Sequence, residues 1–477
     1  MSALKQIRNS QNVQFIFSFC VGWFVLGHFW TEEMDKAFKR GELNVQSYEE
    51  HCSCDHLAPV CPPCNGVVDV QSQRQQNIKI SESYYRTYKY KPLAHSEDLT
   101  NRWRMLTHKH QYEMINQEPR VGLNGMWRVE VNQAEQQAKH IAIKNGAESS
   151  IEMKEIFQRV DAFHGTTYIV NYEAPDAART VVEMNRPYIA GKPKLVSVDH
   201  VTNREIINII SPISKVSERF NNFLSRYEDN VLSSPSSGPV RIIFVIFQPD
   251  DEHEVKYEDS VSHITDVLDK FRARNKRAMI EYIFTKGEFN RAVGLHAGVM
   301  QCNDDEIVLF LDVDLKIGGD FLGRVRRNVV QHERAIFPIM FSQYDSDVMK
   351  HASTVDMELV QDVEDPMQIN KQTGFWIYYA FGVAAMYKSD YLKVGGFRLD
   401  IKGWGGEDVD LFKKMISDPH INVMSIVDAD LMHIYHKRGC DVTLAPDQYA
   451  MCVGAWAETL GSQRQVGTLY LNKHYEL

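Results

Sequence analysis

The chain has 477 residues, 44% of them apolar and 24% charged, a balance that fits globular domains and excludes wholesale disorder or a fibrous repeat. With 53 Lys and Arg against 63 Asp and Glu the formal charge is −10, so the chain lacks the general basic character that neutralises nucleic-acid phosphate, and no nucleic-acid partner is expected. Its 8 cysteines are too sparse for a small disulfide scaffold, although four of them crowd between Cys52 and Cys64.

Residues 1–12 carry Lys5 and Arg8 and precede the one long apolar run, Val13 to Trp30. As a helix that run spans roughly 27 Å, enough to cross a thin bilayer. Glu32, Glu33 and Asp35 follow it, so the positive-inside rule makes residues 1–12 a cytoplasmic tail, 13–30 a transmembrane anchor and the remainder luminal. The run ends in His28, Phe29 and Trp30 rather than in small residues, which favours an uncleaved type II signal anchor over a cleaved signal peptide. Residues 31–90 are polar and aperiodic and read as a stem. Its cysteines, Cys52, Cys54, Cys61 and Cys64, suit disulfides within one chain or between chains of an oligomer better than a zinc knuckle. The lumen is oxidising, and Cys-x-Cys is tight for a tetrahedral metal. Residues 91–198 mix a helical stretch (Asn132 to Lys144) with a strand-like one (Thr166 to Tyr172) and read as an accessory region packed on the C-terminal domain.

From 199 to 477 the pattern sharpens. Ile206 to Ile210, Arg241 to Gln248, Met279 to Phe284 and Ile307 to Leu311 are continuous apolar strands, the first ending at Ser211 and Pro212. Between them lie helical stretches at Lys215 to Tyr227, Ile264 to Arg274 and Arg291 to Met300. Such alternation predicts an α/β fold with a mostly parallel, doubly wound sheet covered on both faces, and ligands beyond the carboxyl ends of its strands.

Asp312-Val313-Asp314 falls at one of those strand ends, where two carboxylates can reach a hard divalent cation that bridges to phosphate. Asp-x-Asp alone reads equally as a solvated loop end. The run Gly403-Trp404-Gly405-Gly406-Glu407-Asp408-Val409-Asp410 is more specific. Its glycines admit close backbone approach, Trp404 offers a flat face to a sugar ring, and its acids open a helix that favours their ionised form. An ionised carboxylate there is a candidate general base. His433 and His436, three apart, could supply a further metal ligand. Cys440 and Cys452 are expected to pair, leaving Cys302 without an evident partner.

Phe289-Asn290-Arg291-Ala292, Asp312-Val313-Asp314, Phe341-Ser342-Gln343-Tyr344, Thr373-Gly374-Phe375-Trp376 and Gly395-Gly396-Phe397 occur in this order. The Gly403 to Asp410 run comes next, then His433 to His436, Cys440 and Gln448-Tyr449-Ala450-Met451-Cys452. Over about Asn208 to Leu469 the series resembles the chondroitin N-acetylgalactosaminyltransferases, Golgi type II membrane enzymes with the GT-A nucleotide-sugar-binding fold. It is more distantly similar to the β-1,4-galactosyltransferases. The resemblance implies Mn²⁺ held by Asp312, Asp314 and His436, with His433 the rival ligand. It further implies that Phe289 and Arg291 hold the uridine diphosphate, that Pro212 lines the uracil and that Val313 belongs to the same nucleotide-binding set. Trp404 would pack on the sugars, and Asp408 would be the base with Glu407 beside it. The implied reaction is inverting transfer of N-acetylgalactosamine from UDP-GalNAc, in β1-4 linkage, to glucuronate of the proteoglycan linkage region or a growing chondroitin chain.

One stretch departs from the family pattern. Where the family spells Trp-Arg-Asp-Phe-Gly-Phe-Gly this chain has Trp376-Ile377-Tyr378-Tyr379-Ala380-Phe381-Gly382, which leaves the donor sugar open. Two other readings stay open beside the leading one: a β1-4 galactosyl- or other hexosaminyltransferase on a different acceptor, and an inert homologue supporting a chondroitin polymerase. Arg324 to Arg327 and Arg272 to Arg277 could draw in an anionic acceptor, but both read more simply as solvated helix faces.

Overall fold

The computed structural model describes residues 101–475 apart from 116–117, 162–164, 177, 189–192, 202–204, 235–236, 249–253, 319, 357–366, 402 and 404. The apolar run 13–30 and the stem cysteines lie outside the described residues. Among the described residues no helix is long and apolar enough to cross a membrane.

The first elements are β1 (Asn101–Leu106), β2 (His110–Tyr112), β3 (Arg120–Gly122), α1 (Gly125–Lys144), β4 (Glu152–Asp161), β5 (Gly165–Glu173), β6 (Arg179–Arg186) and β7 (Lys194–Val201). The strands form one antiparallel sheet in the order β3–β2–β1–β4–β5–β6–β7. Val131, Ala134, Ala138 and Ala142 recur every three or four residues, so α1 presents one small-residue stripe. That stripe packs on Tyr168, Val170, Val182 and Met184. The neighbouring residues Phe157, Ile169 and Val181 point the other way, into the main core. β1 also pairs in parallel with the last strand of the chain, so this sheet shares a strand with the central one.

The next elements are β8 (Ile207–Ile213), α2 (Glu218–Tyr227), β9 (Val240–Gln248), α3 (Glu254–Arg274), β10 (Met279–Lys286), α4 (Arg291–Val299) and β11 (Ile307–Phe310). The four strands are parallel in the order β10–β9–β8–β11. Ile242, Phe244 and Ile246 feed one hydrophobic cluster while Ile243, Val245 and Phe247 feed another, which is why these strands read as unbroken apolar runs. The winding reverses between β8 and β11, and ligands of such sheets sit beyond the carboxyl ends at that point.

The remaining elements are β12 (Leu315–Ile317), α5 (Phe321–Asn328), β13 (Arg334–Ile336), β14 (Ile339–Gln343), α6 (Ser346–Asp356), β15 (Gly374–Ile377) and β16 (Ala384–Tyr387). They are followed by α7 (Lys388–Lys393), α8 (Glu407–Ser417), β17 (Asn422–His433), α9 (Pro446–Glu458) and α10 (Gln463–Tyr475). β16 extends the central sheet antiparallel to β11, then β13 runs antiparallel to β16 and parallel to β17. The second half of β17 joins a further small sheet with β12, β14 and β15. The architecture is therefore mixed, a parallel block flanked by antiparallel strands, rather than mostly parallel. A short strand buried on both faces, such as β16, looks the same in sequence whichever way it runs.

The Arg324 to Arg327 stretch corrects the expectation of a solvated face. α5 is buried, and Arg324 donates to Asp428 at 2.7 and 2.6 Å and to Asp430 at 2.6 Å. Arg327 donates to Glu155 at 2.6 Å and to Asp320 at 2.8 Å, while Arg326 donates to the backbone carbonyl of Glu205 at 2.8 Å. Apart from Asp320, which directly precedes α5, these partners come from β4, from β17 and from the loop before β8, so the helix's own sequence carries no sign of them. Arg272 and Arg274 do stand on an exposed face, beside Asp269 and Glu228.

Candidate active site

The floor of the site is set by how closely α4 lies on the parallel strands. A Cβ at Gly294 would sit 2.8 Å from Pro212 and 2.9 Å from Phe247, so only glycine lets the helix approach. The Ile210 carbonyl accepts from Leu311 N–H; two residues on, Pro212 faces the same side past the end of β11, where its missing N–H breaks no ladder. Pro212 is thus buried beneath Gly294. Asn290 caps α4, its Oδ1 accepting from Val293 N–H at 3.1 Å, and its Nδ2 donates to the Ile401 carbonyl at 2.9 Å. One residue therefore ties the helix start to the chain leading into the glycine turn. Phe289 is half exposed, its ring centroid 5.1 Å from that of Phe247.

Arg291, the first residue of α4, gathers the acids. Its Nε lies 3.0 and 3.2 Å from the two Asp312 oxygens, its Nη1 3.3 Å from Glu407 Oε1, and its Nη2 2.8 Å from the Gly382 carbonyl. Burial opposes the guanidinium charge, but Asp312 and Glu407 outweigh it, with Asp408 adding to them, and hold Arg291 above its ordinary range. Burial pushes Glu407 up, against the pull of Arg291 and with the charge of Asp408 behind it. Burial likewise raises Asp312, opposed by Arg291 and reinforced by Asp314.

Glu407 and Asp408 open α8, whose N-cap is Gly406 with φ of 97°, a left-handed conformation that a side chain would strain. The first turn also holds Asp410, so three acids meet the positive end of the helix dipole. Trp404 lies outside the described residues.

On the other side of Asp312 the chain presents a second cluster. His436 Nε2 is 2.9 Å from Asp314 Oδ2, and His433 Nε2 is 3.6 Å from the same oxygen. His433 is buried, and its Nδ1 is fixed by Ser342 Oγ at 3.1 Å. Burial opposes the charge of Asp314, but the two histidines hold it well below the carboxylate range. Asp314, His433 and His436 each offer a ligand atom within 4.8 Å of the others. Among the described residues the buried Nε2 of His433 has no hydrogen-bond partner, which fits a donor set able to take a cation. Asp312 is not part of this group: it faces Arg291. Val313 is partly buried against the core, and its carbonyl lies 3.4 Å from Arg226 Nη2.

Of the residues singled out from sequence, the structure gathers Arg291, Asp312, Glu407 and Asp408 in one cluster and Asp314 with both histidines in another. Sequence reasoning missed three supporting parts: Arg226 behind Val313, Ser342 behind His433 and the Gly382 carbonyl on Arg291. Ser342 lies within a motif already noted, but nothing in α2 marks Arg226. Cys440 and Cys452 are bonded as expected, and Cys302 is free and buried. In the departing stretch Ile377 is buried, while Tyr378 is exposed beneath the guanidinium of Arg102 at 4.8 Å.

A carboxylate-ringed arginine and an Asp-His-His cluster define the class as an α/β protein with a candidate ligand site beyond its strand ends. Within that class the chain belongs to the chondroitin N-acetylgalactosaminyltransferase family, a family of hexosyltransferases, whose profile matches residues 64–466. Chondroitin sulfate synthase 3 of Mus musculus is 31% identical over 425 residues, covering 78% of this chain and 46% of that protein. Chondroitin sulfate N-acetylgalactosaminyltransferase 1 of Homo sapiens is 32% identical over 272 residues, 57% of this chain and 48% of that one. The chain thus spans about half the length of the curated relatives it matches. Among solved structures, GalNAc-T7 with UDP, GalNAc and Mn²⁺ overlaps 54% of this chain and 49% of that chain at a TM-score of 0.35 and 11% identity, a likeness too slight to build on.

Proposed function

We propose that this chain is a glycosyltransferase of chondroitin biosynthesis, transferring N-acetylgalactosamine from UDP-GalNAc in β1-4 linkage to a terminal glucuronate with Mn²⁺ as cofactor. The observation that carries this reading is the meeting of Asp312, Glu407 and Asp408 around Arg291, next to the Asp314, His433 and His436 cluster. Asp408, at the start of α8, takes the proton from the acceptor hydroxyl as it attacks the anomeric carbon. Glu407, pinned by Arg291, orients donor or acceptor beside it. A divalent cation held by Asp314, His436 and His433, with Asp312 beside it in the chain, would offset the charge developing on the departing diphosphate. Phe289 offers an exposed ring for the nucleoside, and Trp404 a face for the sugars. One displacement on an α-linked donor inverts the anomeric centre. With 13–30 as signal anchor, the enzyme would sit in the Golgi membrane with its catalytic part in the lumen.

The test uses the full chain purified in detergent, Mn²⁺, a panel of UDP-sugars and acceptors ending in glucuronate or N-acetylglucosamine. GalNAc transfer to glucuronate is expected. Transfer only to N-acetylglucosamine would sink the chondroitin acceptor, and binding of UDP without any transfer would favour a supporting, non-catalytic partner. Asp408→Asn should lower transfer by about 10²–10⁴-fold while leaving Mn²⁺-dependent UDP binding intact; a variant that still transfers would remove Asp408 as the base.

A further inference from the structure

The chain between His436 and Cys452 leaves one side of the site and returns on the other. It starts at a residue of the Asp314 cluster, runs without helix or strand from 434 to 445, and enters α9. The hydrogen bonds of Thr443 and Leu444 close locally on Asp441, and Val442 is 80% exposed. Yet this stretch packs on the glycine turn. A Cβ at Gly403 would meet Leu444 Cδ2 at 2.8 Å and Gln448 Oε1 at 3.3 Å, and one at Gly405 would meet Met451 Cε at 3.9 Å. The Cys440–Cys452 bond closes the segment immediately beside these contacts, with the buried Cys452 as its fixed end.

The glycines at 403, 405 and 406 are all left-handed and carry no side chain of their own, so at these positions what lies against the turn contributes to its place. What it carries is the start of α8, Glu407 and Asp408. We propose that the Cys440–Cys452 bond is a positioning clamp: it presses Leu444, Gln448 and Met451 onto the glycine turn and so fixes Asp408 relative to the His436 side of the site. These three are positioning residues, acting through the turn. The inference rests on the glycosyltransferase reading for its kinetic consequence, but the clamp itself concerns only the turn. Misplacement of a reacting group by about 1 Å can cost about 10²-fold in rate. Loss of the clamp should therefore lower kcat for transfer while leaving the binding of nucleotide, held by α4 and the Asp314 cluster, unchanged.

The experiment compares the full chain with its Cys440→Ala/Cys452→Ala variant and with Leu444→Ala/Gln448→Ala, which keeps the bond. In both variants kcat should fall tenfold or more, with Mn²⁺-dependent UDP affinity within about twofold of the parent, and Leu444→Met should restore the rate. Amide hydrogen exchange at residues 403–408 should rise in both. Unchanged kcat overturns the clamp, and so does a parallel loss of kcat, UDP affinity and thermal stability, which marks a merely structural bond. If the cysteine variant does not fold, the Leu444/Gln448 pair decides alone. A parent chain with no transfer from any donor would instead count against the proposed function, and exchange at 403–408 then tests the clamp by itself, unaltered exchange overturning it.

Discussion

Replacing Arg327 with leucine would unpair two carboxylates at the seam between β4 and α5. The Arg327 and Glu155 side chains are 2% and 3% exposed and 2.6 Å apart, so both charges are desolvated and each depends on the other. Removing one member of such a buried pair costs about 3–5 kcal/mol, because the remaining charge stays buried without its counter-ion. Two secondary contacts argue for the lower end: Asn171 still donates to Glu155 at 2.7 Å, and Arg179 to Asp320 at 3.1 Å. At about 2.1 cal/mol/K per residue, the roughly 375 residues from 101 to 475 have an unfolding entropy of about 0.8 kcal/mol/K, so a loss near 3 kcal/mol lowers Tm by about 4 °C. Thermal unfolding of the full chain, followed by tryptophan fluorescence, reads this directly. The double variant Arg327→Leu/Glu155→Leu removes both desolvation penalties and should recover most of the loss. A single variant shifted by less than about 1 °C, or a double variant no more stable than the single, would refute the reasoning.

Three further outcomes are expected. Gly294→Ala drives a methyl into Pro212 and Phe247 and should cost about 1–3 kcal/mol, read as a lower Tm together with weaker UDP binding because α4 carries Arg291. Ser342→Ala removes the hydroxyl that orients His433 and should weaken Mn²⁺ binding about 10- to 100-fold by electron paramagnetic resonance titration; chelation of the parent should silence transfer and added Mn²⁺ should restore it. Cys302, buried with its thiol pushed up to about 11 by that burial, should resist alkylation at neutral pH until the protein unfolds, as peptide mass spectrometry would show.

Much of the parallel block was legible before any coordinates. β8 to β11 and two of the helices between them lie within about three residues of their expected positions; the exception is α3, which ends where expected but begins at Glu254 rather than Ile264. A strand buried on both faces must be apolar throughout, and a helix with one buried stripe must repeat every three to four residues. The acids at Asp312, Asp314, Glu407 and Asp408 were visible for a similar local reason: they stand where a strand ends or a helix starts. The 101–201 sheet was harder to read. Its strands face α1 on one side and the main core on the other, so alternation is lost without a helical period replacing it. The arginines of α5 misled, because charge in sequence suggests solvent unless distant acids close over it.

The sequence by itself determined the strand and helix order of the parallel block, the acidic strand end, the glycine turn and the pairing of Cys440 with Cys452. Each of these is a local matter of period, turn chemistry or spacing. Tertiary structure alone decided which acids meet. It turned Asp312 onto Arg291 and Asp314 onto both histidines, although the two aspartates are separated by one residue. The physical reason is that neighbouring charges at a strand end are free to choose partners, and those partners arrive from α4 and from the end of β17 and the segment after it, whose approach is fixed by packing rather than by the residue between the aspartates.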